Sequence, residues 1–146
     1  MTDKKRSFRI LVRSRDEVLR NRIKEPYALI SIVCPNDEPV RFDSEHKKDQ
    51  CDLVFHDVSF TDKDGKYTVF NKKDAKNILR FVKKHWEDKL IVVHCLAGIS
   101  RSAGVAAALL KIYTGSDEKI FKNPFFVPNT LVYKTILEAY YEDKNG

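Results

Sequence analysis

Short apolar runs alternate with helical periodicities along the chain. Residues 8–12 (FRILV) predict a strand. Ser14 then precedes a stretch over 15–22, with Glu17 placed as the capping-box partner of that serine. Residues 27–33 (YALISIV) predict a second strand, bounded by Pro26 and Pro35. Residues 35–50 are polar and read as irregular, with room for one short element. Residues 53–58 (LVFHDV) predict a third strand, closed by the polar loop TDKDGK. Over 71–86, Ala75, Ile78, Leu79, Val82 and Trp86 fall at helical spacing behind Asn71 as the cap. Residues 90–94 (LIVVH) form a continuous apolar run, as expected of a strand covered on both faces. A small, apolar helix follows over 102–114 and stops at Gly115. Ser116 caps a short helix ending before Pro124, and a last helix covers 130–140, with Pro128 and Asn129 at its start. Strands alternating with helices predict an α/β fold: a central, mainly parallel twisted sheet of four to five strands, flanked by helices.

Composition narrows the class. The 146 residues are 42% hydrophobic and 33% charged, with only 5 Gly and 5 Pro and no linker-like tract. This predicts one packed domain over 1–146 and excludes disordered and fibrous classes. No apolar run reaches the roughly 18 residues of a membrane span, and the first residues lack the pattern of a secretory signal. Three cysteines, Cys34, Cys51 and Cys95, make no disulfide framework and suit a reducing, cytoplasmic setting. His46, His56, His85 and His94 form no metal-binding pair, so neither metal nor cofactor is expected.

The net charge is +6. Residues 1–24 hold nine basic and three acidic side chains, whereas residues 25–146 hold 18 of each. The excess therefore sits in a basic N-terminal strand and helix: Lys4, Lys5, Arg6, Arg9, Arg13, Arg15, Arg20, Arg22 and Lys24. Such a segment either attracts anionic partners or serves as a solvated face. Its one aromatic, Phe8, gives no stacking platform, so nucleic acid is not an expected partner.

The chemistry concentrates in 91–102, IVVHCLAGISRS. A buried strand runs into His94 and Cys95; five residues follow, then Arg101, then a helix. This strand–loop–helix of 91–114 makes a phosphate cradle. Backbone N–H groups of the tight loop and of the helix start are expected to point inward, and the helix dipole favours an anion there. Gly98 permits a turn that a Cβ would block. The Arg101 guanidinium adds a fork for two phosphate oxygens. The same positive surroundings lower the pKa of Cys95, an ordinary thiol titrating at about 8.5. A loop built for a phosphate dianion thus also ionises the nucleophile that attacks it.

HCLAGISRS closely resembles the signature of the protein tyrosine phosphatase superfamily, HCxxGxxR followed by Ser or Thr, and is most similar to its small dual-specificity members. The resemblance implies that Cys95 forms a phosphocysteine intermediate, that Arg101 binds the phosphoryl group, and that the backbone N–H groups of Leu96, Ala97, Gly98, Ile99, Ser100 and Arg101 hold its oxygens. It also implies that Ser102 assists departure of the thiolate and that His94 shapes the loop. Bland roles stand beside these: a core histidine for His94 and a helix-start hydroxyl for Ser102. The loop between 55 and 66 offers three carboxyls as general acid and base, Asp57, Asp62 and Asp64. In the family the acid lies at the end of the preceding strand, which matches Asp57 best. Asp62 and Asp64 also read as turn residues; a calcium loop is rejected because Lys73 stands where its Glu belongs.

The implied substrate is a phosphorylated protein or peptide, carrying phosphotyrosine and, given a shallow pocket, phosphoserine or phosphothreonine. Phosphate, sulfate and vanadate are the implied oxyanion ligands. The loop LAGIS contains no Lys of the kind common in phosphoinositide-directed relatives. Other readings remain open at this level: a phosphate-reading pseudophosphatase, or another cysteine enzyme such as a rhodanese-like sulfurtransferase or an arsenate reductase. Cys34 and Cys51 read as partly buried structural thiols, and either is a candidate to trap an oxidised Cys95 as a disulfide, though the sequence does not place them.

Overall fold

A computed structural model describes residues 7–60 and 62–145. Lys4, Lys5 and Arg6 of the basic segment lie outside these residues, as do Thr61 of the polar loop and Gly146. Among the described residues the elements run β1 (Ile10–Ser14), α1 (Arg15–Leu19), β2 (Tyr27–Val33), β3 (Lys47–Val54), α2 (Lys72–His85), β4 (Leu90–Cys95), α3 (Arg101–Thr114), α4 (Glu118–Phe121) and α5 (Thr130–Asn145). The four strands form one sheet in the order β1-β4-β2-β3, and every pairing is parallel.

The two central strands, β2 and β4, are buried along their whole length. Their alternate residues divide between two cores, as the period of two requires. Ala28, Ile30, Ile32, Ile91, Val93 and Cys95 pack with Ile78, Ala106 and Ile136. Tyr27, Leu29, Leu90 and Val92 pack on the opposite side with Val18 and Val40. Three helices, α2, α3 and α5, cover the first face. The second is covered by α1 and the irregular chain around Val40 and Phe42. Helix α3 is buried from Arg101 to Leu110, which explains its lack of a polar stripe.

Several boundaries differ from the sequence-based expectation. The third strand is Lys47–Val54, six residues earlier than the predicted start at 53, and it contains the short element concealed in the polar stretch. It is an edge strand, so its polar residues Lys47–Asp52 face solvent or ion partners and give no apolar signal. His56 and Asp57 consequently lie on the loop beyond it. The first strand starts at Ile10, and α1 ends at Leu19 rather than 22, just before Asn21 adopts φ 54°. The α1 capping box forms as predicted: Ser14 Oγ accepts from Glu17 N–H, and the Glu17 carboxylate accepts from Ser14 N–H. Asn71 and Asp74 make the equivalent box on α2. Asp117, not Ser116, is the N-cap residue of α4, and α5 continues to Asn145.

One backbone contact fixes the loop between β4 and α3 against the sheet edge. Gly98 has φ 71°, and a Cβ there would lie 2.8 Å from Arg13 C and Ser14 N. Both atoms are main chain and cannot turn aside. Gly98→Ala is therefore expected to combine left-handed strain with displacement of β1. We expect a loss of about 2–4 kcal/mol in urea unfolding. An unchanged unfolding midpoint would contradict this contact.

Candidate active site

Strand β4 delivers Cys95 to the carboxyl end of the sheet, and α3 begins six residues later at Arg101. The side chain of Ser100, the N-cap residue, makes no capping hydrogen bond to α3. Its hydroxyl instead donates to Asp57 Oδ1 at 2.8 Å. The first N–H groups of α3 thus keep their positive ends towards the loop, where an anion is favoured. In that loop Leu96 and Ala97 are exposed, Gly98 is buried, and Ile99 and Ser100 are half-buried.

Cys95 is 3% exposed, and its Sγ lies 3.0 Å from Ser102 Oγ. Burial by itself disfavours a thiolate. Hydrogen bonds from the Ser102 hydroxyl and from the Ser102 and Gly98 N–H groups, together with the Arg101 charge, outweigh it and lower the pKa below that of an ordinary thiol. Cys51 shows the contrast. Burial, aided by Asp52 and Asp49, pushes its thiol up to about 11.

Arg101 is buried at the base of the loop. Its Nη1 donates to Phe55 O at 3.0 Å and to Cys34 Sγ at 3.2 Å. Both contacts use one terminal nitrogen, so Nε and Nη2 lie outside them. His94 is fully buried on the opposite face of the sheet from Cys95. Ser31 is its register partner on β2 and meets His94 Nε2 at 2.7 Å, while His94 Nδ1 lies 3.3 Å from Cys95 O. A carbonyl only accepts, so the proton belongs on Nδ1 and the Ser31 hydroxyl donates to Nε2. Burial lowers the His94 pKa, in keeping with this neutral tautomer.

The three candidate carboxyls separate clearly. Asp57 reaches the loop: Asn129 Nδ2 donates to its Oδ1 at 2.8 Å beside the Ser100 bond, leaving Oδ2 outside both contacts. Asp62 accepts from the N–H groups of Asp64 and Tyr67, and so closes a turn, with Asp64 exposed on it. Asn129 also donates to Val58 O and accepts from Val132 N–H, joining the acidic loop to the start of α5. The approach of α5 to α3 requires Gly104, because a Cβ there would lie 2.7 Å from Asn129 O.

Three contributions escaped the sequence reading: Ser31, the contact of Cys34 with Arg101, and the bridging role of Asn129. Ser31 had a weak signal as the one polar residue of an otherwise apolar strand. Asn129 was visible only as a helix-start residue.

No protein-family model matches the sequence, and no curated protein does. Solved structures do match. The structure titled PTPMT1 in complex with PI(5)P is 18% identical, with a TM-score of 0.59 over 94% of this chain and 93% of that one. Tk-PTP in the active form is 20% identical, with a TM-score of 0.54 over 91% and 92% of the two chains. Human DUSP28 is 15% identical, with a TM-score of 0.55 over 93% and 94%. With its four parallel strands, flanking helices and Cys95 loop, this chain has the fold of the protein tyrosine phosphatases and dual-specificity phosphatases.

Proposed function

We propose that the protein is a cysteine-dependent phosphomonoester hydrolase acting on phosphorylated protein, with residues 1–146 serving as one catalytic domain. The observation that carries this reading is the convergence on Cys95. A buried sulfur bonded to Ser102, with its pKa lowered, stands at a helix start beside Arg101, and Asp57 is held across the loop.

In the proposed reaction, N–H groups from Leu96 to Arg101 and the Arg101 guanidinium hold the phosphoryl oxygens. The Cys95 thiolate attacks phosphorus, the bond to the leaving oxygen breaks, and protonated Asp57 supplies that oxygen with a proton. The Asp57 carboxylate then takes a proton from water as the water attacks the phosphocysteine. The sulfur leaves as a thiolate, stabilised by the Ser102 hydroxyl. Inorganic phosphate is released, and Asp57 is again protonated. His94 and Ser31 support the loop from beneath, and Asn129 orients the acid. Phosphotyrosine is the principal substrate group of this reading, with phosphoserine and phosphothreonine admitted. Cys34, Cys51 and Cys95 are all free thiols, which a reducing cytoplasm would preserve.

The test is release of p-nitrophenol from p-nitrophenyl phosphate with a chelator present. The wild type should turn over. Asp57→Asn should lower kcat about a hundredfold. Absence of wild-type turnover would end the proposal, and an unaltered Asp57→Asn would remove Asp57 from it.

A further inference from the structure

Beside Asp57 the surface opens into a cavity of about 370 Å³, lined by Asp57, Ser59, Ser100, Val127, Pro128 and Thr130 together with Asn129. It shares Ser100 with the Cys95 loop and includes Asp57, which Ser100 holds at 2.8 Å, so atoms next to a phosphate seated on that loop fall within its reach. Its far wall is held to the same loop: Val127 N–H donates to Ile99 O and Asn129 N–H to Ser100 O, each at 3.0 Å. Val127 is 66% exposed, so an apolar surface is offered to an occupant. The hydroxyls of Ser59 and Thr130 stand at the exposed rim. Among the described residues of the lining, Asp57 alone carries a charge.

We propose that this cavity is a specificity subsite for an uncharged side chain next to the phosphorylated residue of a protein substrate, and that it turns away an acidic or second phosphorylated neighbour. The inference rests on the phosphatase reading above and adds the substrate's immediate surroundings. A neutral side chain gains contact with Val127 and Pro128 and hydrogen bonds from the hydroxyls. An anion in the same place gives up water against Val127 and Pro128 with no lining cation to balance it, and an unpaired charge pays for that desolvation. The same argument disfavours a phosphoinositide, whose ring carries a phosphodiester anion besides the phosphate to be cleaved. Peptide therefore fits the lining better than lipid.

The experiment compares kcat/KM for phosphotyrosine peptides that differ only in the residues flanking the phosphotyrosine. One set carries Thr and Val, and the other carries Glu or phosphoserine. A soluble phosphatidylinositol 5-phosphate runs in parallel. The ratio of neutral to acidic peptide is read within each enzyme, so a general loss of activity cancels. The wild type should favour the neutral set about tenfold. Thr130→Arg and Ser59→Arg each place a cation at the rim and should bring the ratio down severalfold, towards one. A wild-type ratio near one, or a ratio that neither variant moves, overturns the subsite. Faster turnover of the inositol phosphate than of the neutral peptides overturns its assignment to protein. Loss of the phosphatase reading itself has a separate signature, a wild type inert towards p-nitrophenyl phosphate.

Discussion

Cys95→Ser should abolish phosphate release, lowering kcat by roughly a hundred-thousandfold or more. The reason is electronic rather than steric. A hydroxyl at the same place does not ionise under the influence that lowers the pKa of Cys95, and the replacement fits a site only 3% exposed. Thermal unfolding should therefore stay near that of the wild type while turnover disappears. The companion measurement is the rate of alkylation of Cys95 by iodoacetate against pH. Only thiolate reacts, so the rate rises as pH passes upward through the folded-state pKa. That midpoint should fall below the ordinary value of about 8.5. Ser102→Ala removes the hydroxyl 3.0 Å from the sulfur and should shift the midpoint upward. The same shift has a stability consequence. A thiol acidified by folding stabilises the fold at pH values above the unfolded pKa, and this contribution fades as pH falls through the folded pKa. Substantial turnover in Cys95→Ser, or an alkylation midpoint at the ordinary thiol value, would contradict the proposed chemistry.

Arg101→Lys should be the next most damaging change, with kcat/KM reduced about a thousandfold, equivalent to roughly 4 kcal/mol of transition-state stabilisation. Charge is retained, so an effect of this size isolates geometry. Arg101 anchors Nη1 on Phe55 O and Cys34 Sγ, with its Nε–Nη2 edge clear of both contacts. A lysine ammonium is a single point. It can satisfy the Phe55 carbonyl or the phosphate, but not both with two parallel bonds. Vanadate affinity should fall with activity, since in the proposed chemistry vanadate would take the same grip. A lysine variant within tenfold of the wild type would show that the fork is not used.

The elements that were legible in the sequence are those with the strongest periodic or continuous apolar patterns. Tyr27–Val33 matches its predicted bounds, and α2 differs from them only by its capping residues Asn71 and Trp86. The run at 90–94 extends by one residue to include Cys95. The edge strand β3 was misplaced because hydrogen bonding, rather than burial, holds it in the sheet. Its pairing runs from Tyr27↔Lys47 to Val33↔Val54 through residues that look like loop. The Ser14–Glu17 capping box and the Asn71 cap were readable because the partners lie within three residues of each other, while Asp74 as the second half of the α2 box was not read. The contacts that complete the candidate site were not, because they join positions 63 apart for Ser31 and His94, 67 for Cys34 and Arg101, and 72 for Asn129 and Asp57.

Local order alone determined the loop around Cys95. A buried strand, Cys95, five residues that include Gly98 and an arginine opening a helix are consecutive in the chain, so the strand–loop–helix is legible from covalent neighbours. Tertiary structure decided what faces that loop. Asp57, Asp62 and Asp64 are chemically alike and nearly adjacent, and only the docking of α5 beside α3, through Asn129 and the space left at Gly104, brings Asp57 to Ser100 while Asp62 closes its own turn. Covalent neighbours specify the local field, whereas the choice among equivalent carboxyls depends on packing between helices far apart in the chain.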